Sequence, residues 1–87
     1  MYLHLGEKTV IEANKIVAIL DLDNSTVSSI TKDFLKKAQD GGVLKTVTNE
    51  LPKSAIICNG NKQKEVYLSQ ISASTLQKRA LKMEVIV

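Results

Sequence analysis

Residues 2–22 read YLHLGEKTVIEANKIVAILDL. Tyr2-Leu3-His4-Leu5 alternates weakly, Gly6-Glu7-Lys8 has the composition of a turn, and Thr9-Val10-Ile11 returns as a second strand, so the segment opens as a β-hairpin. Glu12-Ala13-Asn14-Lys15 then makes a polar corner carrying one cation. The run Ile16-Val17-Ala18-Ile19-Leu20 follows without a polar break and is rich in β-branched residues. Such a run is the pattern of a strand buried on both faces. In a chain of 87 residues the second face needs cover from a helix or from another subunit.

Working outward, Asp21 to Ser25 is a loop in which Asn24 or Ser25 can cap a helix. The helix is expected from about Thr26 to Gln39 or Asp40. Val27, Ile30, Phe34, Leu35 and Ala38 form one apolar stripe, and Ser28, Ser29, Lys32, Asp33, Lys36 and Lys37 fall outside it. Gly41-Gly42 supplies the positive-φ cap that ends the helix. Val43 to Val47 reads as a short strand, and Thr48 to Pro52 as a loop. Ser54 to Cys58 reads as a second strand apolar on both faces. Asn59 to Lys64 is a hairpin turn containing Asn59-Gly60, and Glu65 to Ile71 is the returning strand. Ser72 or Ser74 caps a short helix from about Ala73 to Leu81. Leu76 and Ala80 face inward on that helix, while Gln77, Lys78, Arg79 and Lys82 face out. Glu84 to Val87 is expected as a last strand or a docking tail. The sum is one small β-rich α+β domain spanning residues 1–87, with two hairpins, one central amphipathic helix and a short C-terminal helix.

At this length folding buries only about 60–65% of the unfolded surface, so stability is marginal without a staple. A single cysteine, Cys58, excludes an internal disulfide and a multi-cysteine zinc site. Oligomerisation is the common remaining way to hide apolar surface. Tyr2, Phe34 and Tyr67 are the only aromatic residues, so the core is aliphatic. No stretch approaches the roughly 20 apolar residues that cross a bilayer. His4, Glu7 and Lys8 interrupt the start, so no signal peptide is expected. A lone buried thiol fits a reducing cytoplasmic setting.

The net charge of +3 is unevenly placed. Residues 1–44 hold five Lys and six acidic residues, and residues 45–87 hold six Lys, one Arg and three Glu. A basic second half suits an anionic partner such as nucleic acid. Catalysis finds no support. His4 is the single histidine, set in a strand beside apolar neighbours. Cys58 ends a buried run, where a reactive thiol would need an open, basic setting. Asp21 and Asp23 read as a solvated approach to the helix rather than a metal site. Gly41-Gly42 lacks the Lys-Ser/Thr of a phosphate loop. No cofactor, metal or small-molecule substrate is expected.

The cations are the chemistry-bearing residues. Lys15 sits before one strand and Lys53 before another, and neighbouring strands could bring those ends together. Lys62 and Lys64 decorate the second hairpin, and Lys78, Arg79 and Lys82 line the last helix. Lysine is a point charge that suits phosphate contacts better than base reading. For base edges only Asn14, Asn49, Gln77 and Arg79 are suitable. Each cation taken singly is a solvated surface group in most proteins.

The residues in order resemble a known family. Tyr2-Leu3-His4-Leu5-Gly6, Ile11-Glu12-Ala13-Asn14-Lys15-Ile16-Val17-Ala18-Ile19, Phe34-Leu35-Lys36-Lys37, Pro52-Lys53-Ser54-Ala55-Ile56-Ile57 and the segment Tyr67 to Ala80 together look like the RemA/RemB extracellular-matrix regulators of Gram-positive bacteria, on the RemB side. The resemblance covers nearly the whole chain. It implies a LytTR-like β-rich domain, a ring-like homo-oligomer, DNA binding that activates matrix genes, and no enzyme activity. It further implies that Lys15 in the corner, and Lys53 near a second basic place, serve DNA; Asn14, Lys78 and Arg79 join them as DNA-binding candidates on their own residue chemistry. Lys15 stands where the RemA branch has arginine, and Glu50-Leu51-Pro52 replaces much of a basic loop. That replacement points to the alternative function, a protein-interaction or scaffolding module of the same pathway without direct DNA contact.

Overall fold

The computed structural model describes residues 2–22 and 28–85, with side chains described through residue 80. The elements run β1 (Tyr2–Gly6), β2 (Thr9–Glu12), a 3-10 turn (Ala13–Lys15), β3 (Ile16–Asp21), α1 (Ser29–Asp40), β4 (Leu44–Thr46), β5 (Ser54–Asn59), β6 (Lys64–Ser69) and α2 (Ala73–Val85). Both expected hairpins are present. β1 and β2 pair as a two-stranded sheet, and β5 and β6 form the centre of a four-stranded sheet in the order β3-β5-β6-β4. β3 and β5 are antiparallel, as are β5 and β6, while β4 runs parallel to β6. α1 is therefore the crossover that carries the chain from one edge of the sheet to the other.

Two cores flank this sheet. On one face Leu3, Leu5, Ile56, Cys58 and Leu76 are buried, joining the β1–β2 hairpin and α2 to the sheet. On the other face Ala38, Ala55 and Val66 are buried with Leu20, Leu35, Val43 and Leu68 around them, joining α1 to the sheet. β5 lies between both layers, which is why its apolar run is continuous.

Buried serines tie the layers where β5 begins. Ser69 Oγ donates to the Leu5 carbonyl, and Ile71 N–H donates to Ser69 Oγ at 3.0 Å. Ser54 Oγ donates to the Ile71 carbonyl at 2.7 Å. The first turn carries Gly6 at φ +126° and Glu7 at φ +49°. A Cβ on Gly6 would meet the end of the flexible Gln70 side chain, which can move aside, so it is the backbone angle that favours glycine there.

Four expectations need correction. Ile16 to Leu20 is not buried on both faces. β3 is an edge strand, none of its residues is fully buried, and Val17, at an irregularity in the register, is 50% exposed. α1 starts at Ser29, because Ser28 is extended and its side chain accepts from Thr31 N–H. The expected caps Asn24 and Ser25, and Val27 of the stripe, lie outside the described residues. Of the remaining stripe, Leu35 and Ala38 reach the core, but Ile30 is 79% exposed. α2 runs on to Val85, so Glu84 does not begin a strand.

The caps at the other ends follow the sequence. Gly42 N–H bonds to the Gln39 carbonyl and Val43 N–H to the Ala38 carbonyl, with Gly42 at φ +75°. This is a Schellman close. Ser72 caps α2 by accepting from Thr75 N–H at 3.3 Å.

Candidate nucleic-acid interface

The polar corner forms because Glu12 to Lys15 must pass from the β1–β2 hairpin to the edge of the larger sheet. The 3-10 turn does this in three residues and leaves Asn14 and Lys15 exposed. Lys15 Nζ is 3.9 Å from Glu12 Oε2, with both side chains close to half exposed. An open pair at that distance contributes little and leaves the ammonium available.

The corner borders a cleft of about 280 Å³, lined by Tyr2, Val10, Glu12, Lys15, Asn59–Asn61, Glu65 and Tyr67. The turn of the second hairpin, with exposed Lys62 and Lys64, sits at the same end of the sheet. Lys45 was not singled out by its sequence position, yet it organises the neighbouring surface. Its Nζ is 2.7 Å from Glu65 Oε2 and 5.6 Å from the Tyr67 ring centre. The hydrogen bond to Glu65 is the main cause holding its pKa above the ordinary lysine value. Lys45 is thus engaged, and Lys15 is the looser cation. Only the parallel pairing of β4 with β6, invisible in the sequence, sets Lys45 opposite Tyr67.

Lys53 does not join Lys15. Ile16 pairs with Cys58 and Asp21 with Ser54, so Lys15 lies at the far end of β5 from Lys53. Six residue steps of about 3.3 Å separate the two places by roughly 20 Å. The backbone of Lys53 is fixed, donating to the Ser69 carbonyl at 2.8 Å and accepting from Leu22 N–H at 2.9 Å, while its side chain is exposed. Lys78 and Arg79 form a third place, on the exposed side of α2, where Arg79 Nη1 reaches the His4 carbonyl at 3.4 Å.

The other titratable candidates have structural surroundings. His4 is exposed and its Nε2 lies 2.9 Å from the Glu7 carbonyl, bracing the first turn. Burial pushes the Cys58 thiol up to about 11, with the nearby Glu65 charge adding to it. Among the described residues no group of His, Cys, Asp and Glu is arranged to hold a metal ion. Among them, too, no helix is long and apolar enough to cross a membrane.

The model of the RemA-like family, "Extracellular matrix regulatory protein A-like", matches residues 2–80. The chain belongs to this family. It is also similar to Extracellular matrix regulatory protein B of Bacillus subtilis (strain 168), with 41% identity over 80 residues, covering 92% of this chain and 90% of that protein. The family is thus one of regulatory proteins rather than enzymes. The match takes in the Asn14–Lys15 corner, the Glu50–Lys53 loop and α2 as far as Ala80.

Proposed function

We propose that this chain is a cytoplasmic regulator of extracellular-matrix genes that binds DNA through its phosphates and works as a ring-like homo-oligomer. The family supports the regulatory role. The observation that carries the DNA reading is the solvent-exposed Lys15, loosely paired at 3.9 Å and flanked by exposed Asn14. A phosphate oxygen replaces so weak a partner at little cost.

One subunit offers its cations in three separated places and would bind weakly. Several linked copies repeat each place, and their contacts multiply through effective concentration. Contacts of this kind release counterions, so binding falls steeply with salt. The test is fluorescence anisotropy with a long AT-rich duplex over a series of salt concentrations. Binding with a steep salt slope supports the reading, and absence of binding at low salt removes it.

A second reading, a scaffold without DNA contact, is favoured by the Glu50-Leu51-Pro52 loop. Leu51 is 87% exposed there, beside an acid and not a cation. Under that reading the protein assembles but is unchanged by duplex DNA.

A further inference from the structure

The cleft beside the corner carries two pairs of the same kind, each a tyrosine with a glutamate. Glu65 and Tyr67 stand two residues apart on β6 and so share one face of the strand. Tyr2 and Glu12 are directly opposite each other in the β1–β2 ladder, which sets their Cβ atoms about 4.5–5.5 Å apart on one face of the hairpin. All four residues line the same cleft of about 280 Å³.

One pair already holds an alkyl-ammonium. Lys45 Nζ is 2.7 Å from Glu65 Oε2 and 5.6 Å from the Tyr67 ring centre, inside the reach of about 6 Å at which a ring face attracts a cation. The turn leaves room for that carboxylate, since a Cβ on Gly60 would lie 3.0 Å from Glu65 Oε1. The other pair is held more weakly. Lys15 Nζ stands 3.9 Å from Glu12 Oε2, beyond hydrogen-bond reach, and Tyr2 is 64% exposed. Glu12 and Glu65 outnumber Lys15 in the lining, so the cleft favours a cation over an anion. Its volume falls just below the range of about 300–1,000 Å³ usual for drug-sized ligands, which suits a smaller one. Val10, on the same face of β2 as Glu12, adds an apolar wall.

We propose that the Tyr2–Glu12 pair binds the ammonium group of a small aliphatic amine, with the carbon chain of the amine laid along Val10 in the cleft. The ammonium takes the place at Glu12 that Lys15 holds loosely. The Tyr2 ring then serves it as the Tyr67 ring serves Lys45. The site is built from the cleft alone, and it stands whether or not the chain binds DNA.

Nuclear magnetic resonance of the full chain tests this, by titration with n-butylamine at fixed pH and ionic strength. The Tyr2 ring and Glu12 side-chain signals are followed, and 1-butanol is the neutral control of equal chain length. Saturable shifts at Tyr2 and Glu12 are expected with the amine and not with the alcohol. Glu12→Gln is expected to abolish them, and Tyr2→Leu to weaken binding about threefold, with Tyr2→Phe restoring it because the ring face remains. Lys15→Ala is expected to tighten binding, because it removes the competing ammonium, and a merely structural corner predicts no such gain. Tyr2 is exposed and Glu12 is partly so, and circular dichroism checks that each variant keeps the fold. Shifts that do not saturate, that persist in Glu12→Gln or that the alcohol reproduces overturn the site. Binding that Lys15→Ala leaves unchanged or weakens overturns the exchange at Glu12 on which the proposal depends.

Discussion

Lys15 and Lys53 stand at opposite ends of β5, one beside the Ile16–Cys58 pair and the other beside the Asp21–Ser54 pair. A single phosphate cannot touch both within one subunit, because roughly 20 Å of strand lies between them. Within one subunit the two cations can share a duplex only by meeting different phosphates.

Lys15→Ala and Lys53→Ala should therefore each weaken DNA binding and flatten its salt dependence. The expected change in slope is about one for each engaged subunit. Anisotropy titrations at several salt concentrations read this directly. Lys45→Ala, by contrast, should leave the slope nearly unchanged, because that ammonium is held by Glu65 and Tyr67. An unchanged slope in Lys15→Ala contradicts its role at phosphate.

How much of this was legible beforehand divides by physical range. Both hairpins, the α1 stripe at Leu35 and Ala38, the Gly42 close and the Ser72 cap follow from local chemistry and were readable residue by residue. The order β3-β5-β6-β4 was not, because Ile16–Leu20 and Ser54–Cys58 carry the same apolar pattern while one is an edge strand and the other central. The apolar pattern alone allows Lys15 and Lys53 one end of a sheet, and the register of β3 on β5 separates them. The start of α1 is ambiguous in the sequence because Asn24, Ser25 and Ser28 are all cap-type residues; Ser28, extended and accepting from Thr31 N–H, caps the helix at Ser29. α2 outran its expected end because an apolar tail reads equally well as strand or helix.

Gly6→Ala should destabilise the fold by about 1–3 kcal/mol, through a strained positive φ. Thermal unfolding followed by circular dichroism measures it. A melting temperature equal to wild type would mean that the first turn relaxes without cost.

Leu76→Ala should be more severe. Leu76 is fully buried and joins α2 to the β1–β2 hairpin and the sheet. The expected loss is about 2–5 kcal/mol. In a chain this small that takes most of the stability, so urea unfolding should show a midpoint shifted strongly downward or no folded baseline.

Cys58 gives a pH signature. Its thiol ionises near 11 in the fold against an ordinary value of 9.0. Because the folded value is raised, the contribution is whole below pH 9 and is lost as pH climbs from 9 toward 11, where the unfolded thiol ionises first. Cys58→Ala should therefore show a shallower fall in stability over that window. Native Cys58 should also resist a thiol reagent at pH 8 and react once urea unfolds the chain.

The most direct measurement is light scattering of the purified protein at low salt, alone and with a long AT-rich duplex. A multimer whose mass rises when duplex is added, and returns to its starting value at high salt, is the predicted result. A mass that duplex leaves unchanged at low salt would contradict DNA binding and leave the scaffold reading in its place.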